Sequence, residues 1–252
     1  MVARRLSRVA PDRPAQDFTK CEVGRSAVVV TVIAASLMAC PDRQSHDAAE
    51  QRAELDKLRG GVVEFTNQLE RMRKTAAGSV RADLEEQPCP EPRLRQAAKG
   101  APASLLLADA EFVRELAFDP RWKMLTTPLL ASLPKPSRIT TVKQATDALF
   151  SVRKLESEHA YVAIVHTTER ESPRLDGERY HGGRIAGWLT VFELKSGDSL
   201  CRARLDAQSS DEVAGLQGQD RAEVLRNDFS ARVRQNVEDA VARISRVLRP
   251  DF

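Results

Sequence analysis

The sequence predicts an α+β fold: an N-terminal helical stalk, then helices plus a small antiparallel sheet covered by a long C-terminal helix. Three observations carry that expectation. Apolar residues recur at spacings of three and four from Leu55 to Met72. The period falls towards two between Tyr161 and Ala207, and helical spacing returns from Leu225 to Leu248. Of the 252 residues, 42% are apolar and 30% charged, and the net charge is only +3. That is apolar matter enough for a core and too little charge to hold the chain open, which excludes wholesale disorder. A single stretch is continuously apolar, which excludes a multi-span membrane protein.

That stretch runs from Ala27 to Ala39. On a helical rise of about 1.5 Å per residue it reaches about 20 Å, short of a hydrocarbon core of about 30 Å. Arg4, Arg5, Arg8, Arg13, Lys20 and Arg25 precede it. Basic residues followed by a short apolar run fit a cleaved leader, residues 1–39. A start at Val23 would give the same leader with a shorter basic part. The run ends in Leu37-Met38-Ala39-Cys40, which resembles the lipobox of bacterial lipoproteins. The resemblance implies lipid attachment at Cys40, a membrane anchor, and a mature chain in the bacterial cell envelope facing the periplasm or exterior. An ordinary leader cut after Ala39, or a buried apolar strand, are the alternatives.

Residues 40–85 then read as the lipid-attachment cysteine and an amphipathic stalk. Leu55, Leu58, Val62, Phe65, Leu69 and Met72 form an a/d seam, with Ala48 and Ala76 in the same phase. Gly60-Gly61 interrupts it, at about 1 kcal/mol each relative to Ala. Such a seam serves either a protein partner or self-association, or it packs on its own domain. Pro88, Pro90, Pro92 and Pro102 mark residues 86–104 as a stiff linker.

Residues 105–252 read as the globular domain. A short helix over 108–118 stops at Asp119-Pro120, and a second apolar segment, Trp122 to Leu130, ends before Pro134. Val142, Ala145, Leu149 and Val152 mark a helix capped by Thr140 or Thr141. Tyr161 to Val165 is apolar on both faces, like a central strand. Ile185 to Leu194 is another strand, and Lys195-Ser196-Gly197-Asp198 a tight turn. Cys201, Ala203, Leu205 and Ala207 then alternate with Arg202, Arg204 and Asp206. Leu225, Phe229, Val233, Val237, Val241, Ile244 and Leu248 stripe a helix over 220–249.

No reaction is named by any motif. Beyond Cys21 in the leader and Cys40, Cys89 and Cys201 remain; they either bridge or leave a buried thiol at 201. A bridge would close a loop of about 110 residues and stabilise by up to about 5 kcal/mol. His166 and Glu169 have H-x-x-E spacing, but strand alternation sets them on opposite faces. Ser151-x-x-Lys154 with Lys195-Ser196-Gly197 resembles two boxes of penicillin-binding proteins and β-lactamases, yet the S-D-N box is absent and the spacing too short. No catalytic, cofactor-binding or metal-ligating residue is therefore assigned. Residues 1–39 hold six basic and three acidic side chains, and residues 40–252 hold 33 of each. The basic balance belongs to the leader, which argues against nucleic acid as a partner. The expectation is a lipid-anchored envelope binding or assembly module, the alternative an envelope hydrolase.

Overall fold

The computed structural model describes residues 41–78, 85–98, 103–117, 119–176, 179–210 and 220–252. Residues 1–40, which hold the expected leader and Cys40, lie outside the described residues. Residues Asp47–Phe252 form one compact unit.

Helix α1 (Pro41–Gly78) carries the heptad-like seam. Val62, Phe65, Leu69 and Met72 are buried in the core, and the half-buried Leu55 and Leu58 pack against it. The seam is thus covered within the chain. Residues 85–90 lead into α2 (Glu91–Ala98). They belong to the same packed unit: Gln87 exchanges backbone bonds of 3.0 and 3.1 Å with Arg202, and the Cys89 N–H reaches the Ile244 carbonyl at 2.8 Å.

Strand β1 (Ala103–Asp109) contains Leu105-Leu106-Leu107, buried on both faces as in a central parallel strand. Asp109 caps helix α3 (Ala110–Glu115), and Asp119 caps a 3-10 turn over Pro120–Leu125. Helix α4 (Pro128–Ala131) and α5 (Val142–Glu158) follow, the latter capped by Thr141. Strand β2 (Tyr161–Glu171) leads to a small ribbon of β3 (Arg174–Asp176) and β4 (Arg179–His181). Strands β5 (Arg184–Glu193) and β6 (Ser199–Gln208) form the expected hairpin, with Gly197 at φ 78° in its turn. The turn demands a left-handed residue at that position, which glycine adopts without strain. Helix α6 (Arg221–Ile244) and strand β7 (Leu248–Asp251) end the chain.

The main sheet has five strands in the order β6-β5-β2-β1-β7. β1 runs parallel to β2 and β7, while β2, β5 and β6 are antiparallel. One face packs on α6 through Phe229, Val233, Val237 and Val241. The other packs on α1, α3 and α5. This corrects the expected small antiparallel sheet covered by a long C-terminal helix: the sheet is mixed and covered on both faces. Two strands were hidden. Leu105 to Ala108 carry no period that marks a strand, so the expected helix over 108–118 overlaps the end of β1. The expected helix over 220–249 overlaps the start of β7. Ser245 stops α6 five residues short of Arg249's turn by leaving the helical conformation, its Oγ accepting the N–H groups of Val247 and Leu248 at 3.1 and 3.3 Å. Pro250 suits the edge position that β7 takes.

Candidate functional site

Parallel strands bring their carboxyl ends to one side of a sheet, where open α/β sheets place ligands. β1 ends there in Asp109. Its Oδ1 accepts the Glu111 N–H at 3.2 Å, and its own N–H donates to Thr126 Oγ1 at 3.2 Å. Thr127 locks the neighbouring segment, its Oγ1 accepting from Leu107 N at 3.0 Å and donating to the Asp251 carbonyl at 2.8 Å. The α3 helix then ends at Leu116, whose φ of 45° is strained for a side chain with a Cβ. Beyond that residue, Ala117, Asp119, Arg121 and Trp122 line the cleft at the strand end.

Arg170 comes from β2. The pairing of β2 with β5 slips between Thr167 and Glu169, a bulge of one residue. A bulge re-aims the side chains that follow it. Here it sets Arg170 on the same face as Thr167 and Val165. The guanidinium is held three ways: Nη2 donates to Asp109 Oδ1 at 2.7 Å, Nε donates to Thr167 Oγ1 at 3.1 Å, and Cζ lies 4.8 Å from the Trp122 ring centre. Trp122 is braced by an edge-on contact with Phe229 at 6.2 Å. Gly187 makes the bulge possible, since a Cβ there would land on the His166 carbonyl oxygen and 2.8 Å from Thr167 Cα.

These residues line a cleft of about 410 Å³, within the size range of small-ligand sites. Asp109, Trp122, Thr126, Thr167 and Arg170 line it, and Glu111, Glu115, Asp119 and Arg121 add further charge. Asp109 is 4% exposed. Its burial raises the carboxyl above the ordinary carboxylate range, against the opposing pull of Arg170. Asp119 goes the other way, held low by its hydrogen bond from Arg121 at 2.7 Å. Chemically the cleft offers fixed donors and acceptors. Its described lining contains no histidine, cysteine or serine.

The residues singled out from sequence lie elsewhere. Cys89 and Cys201 are joined by a disulfide with Cα atoms 4.7 Å apart, both buried under the α6 face. Leu55, Leu58, Val62, Phe65, Leu69 and Met72 serve the opposite core. His166 and Glu169 share a face, contrary to simple alternation, because the bulge lies between them; Glu169 pairs with Arg184 at 3.4 Å. Among the described residues no group of His, Cys, Asp and Glu is arranged to hold a metal ion. Sequence reading missed Asp109, Trp122 and Arg170. The available signal was an apolar run ending in a capping Asp, which marks a strand passing into a helix. Nothing in the sequence announced the bulge.

Comparison of the chain with family models, with curated proteins and with solved structures finds no match.

Proposed function

We propose that this chain is a lipid-anchored protein of the bacterial cell envelope that acts as a binding module, its ligand seated in the cleft at the carboxyl end of β1. The observation that carries the binding reading is Arg170: a guanidinium fixed by Asp109, Thr167 and Trp122 before any ligand arrives. Preorganised charge of this kind lowers the ordering cost of binding. Export is supported by the lipobox-like Leu37-Met38-Ala39-Cys40 and by the Cys89–Cys201 disulfide, a bond that persists in oxidising compartments. No described helix is long and apolar enough to cross a membrane, and the anchor proposed is lipid on Cys40.

Two measurements test this reading. Metabolic labelling with a fatty acid should mark the wild type and not Cys40→Ala; equal labelling ends the anchor. Native mass spectrometry of the protein drawn from the envelope should find a small adduct that Arg170→Ala loses. A bare protein in both cases ends the binding reading.

A second reading, an envelope hydrolase, draws on the raised Asp109 carboxyl beside Glu111, Glu115 and Asp119. Turnover of the bound species by the wild type and not by Asp109→Asn would favour it.

A further inference from the structure

The ion pair in the cleft is used on one side only. Asp109 Oδ1 takes both the Glu111 N–H and Arg170 Nη2. Asp109 Oδ2 and Arg170 Nη1 have no partner among the described residues, and both side chains line the cleft. The ion pair thus leaves one oxygen of the Asp109 carboxylate and one nitrogen of the Arg170 guanidinium with bonding capacity to spare. Their common mount is rigid: β1 holds Asp109, and the bulge, Thr167 and Trp122 hold Arg170.

Charge narrows what fits. The lining holds four carboxylates and two guanidinium groups; Glu111 and Glu115 pair with Arg114 and Asp119 with Arg121, so Asp109 Oδ2 is the acceptor that the ion pairs leave over. A phosphate or dicarboxylate would meet Arg170 but also the free Asp109 oxygen and its acidic neighbours. A simple cation would meet the carboxylates but also Arg170. A ligand with an ammonium and a carboxylate on adjacent positions satisfies both, through charge-assisted bonds about twice as strong as neutral ones.

We propose that the cleft recognises the zwitterionic head of a free α-amino acid, its ammonium on Asp109 Oδ2 and the acidic rim, its carboxylate on Arg170 Nη1. This rests on the binding reading above and names its ligand class.

Equilibrium dialysis of the full, disulfide-bonded chain against an equimolar mixture of the twenty L-amino acids tests it, with D-glucose as the neutral control. At least one amino acid should be retained. Calorimetric titration should then show its N-acetyl derivative and its methyl ester binding at least tenfold more weakly. Arg170→Lys, which keeps the charge and loses the fork, should weaken binding about tenfold. Glu115→Gln lies on the exposed rim away from the core and should weaken it two- to fivefold without changing Tm. Retention of no amino acid, or equal binding of the acetylated or esterified form, overturns the assignment. Retention of glucose with loss in Arg170→Lys also overturns it while leaving the binding reading standing. A native adduct that is not an amino acid separates the two in the same way.

Discussion

Asp109 sets two terms against each other. Arg170 favours its charged form, and burial opposes it more strongly, so the carboxyl sits above its ordinary range. A folded value raised above the unfolded one contributes stability that is present at acid pH and lost as pH rises through the folded value. Asp109→Asn removes that dependence while keeping an acceptor for Glu111 and Arg170. Urea unfolding should therefore show the variant gaining on the wild type between pH 3 and pH 7. The reverse trend would mean that the Arg170 pair outweighs burial. Gly187 is the other decisive single residue. A methyl group there meets backbone, not a movable side chain, so Gly187→Ala should cost about 3 kcal/mol or more and lower Tm. Both residues were invisible as special positions in the sequence. Asp109 falls inside the helix expected over 108–118, and Gly187 is one glycine in a strand. Their importance comes from what lies across the sheet.

At the level of elements, α1 shows how far periodicity reaches. The seam from Leu55 to Met72 was legible because helical spacing reports one buried face, but spacing does not say against what. The two glycines divide accordingly. A Cβ at Gly60 meets open space, and one at Gly61 lies 2.7 Å from Leu149 Cδ1. Gly60→Ala should raise stability by about 1 kcal/mol in denaturant titration. Gly61→Ala should return less, because Leu149 must move. Residues 85–89 show the opposite case. Proline density predicts a stiff linker over 86–104, and in the structure residues 85–89 cover the outer edge of β6. Glu86 pins it, accepting from Arg204 N and from Arg243 Nη2, both at 2.9 Å, and Arg243 holds its carboxyl low. Glu86→Ala should cost about 1 kcal/mol and, by loosening the cover on a sheet edge, increase self-association in light scattering.

For the whole molecule, the disulfide is the longest tie. It links Cys89 to Cys201, 112 residues apart in sequence. Replacing both by Ala should lower stability by about 2–5 kcal/mol in guanidinium titration with the fold retained. No change would show that residues 85–94 hold their place without it. The bond joins the segment on the β6 edge to the hairpin that supports β2, and β2 carries Arg170. Loss of the bond should then also weaken binding in the cleft.

By itself the sequence determined the elements whose apolar residues repeat on one face: α1, α5, α6, β6 and the turn at Gly197. For residues 1–39 it carries an expectation of export, since hydropathy and charge act locally. What only the tertiary structure decided was pairing. Whether β1 lies parallel to β2, whether Leu248 to Asp251 leave a helix to join a sheet, and which way Arg170 points all depend on contacts distant in sequence. A one-residue bulge reverses every side chain after it, and no local pattern encodes it. The cleft is built from those distant contacts, so it appeared only when the strands were placed.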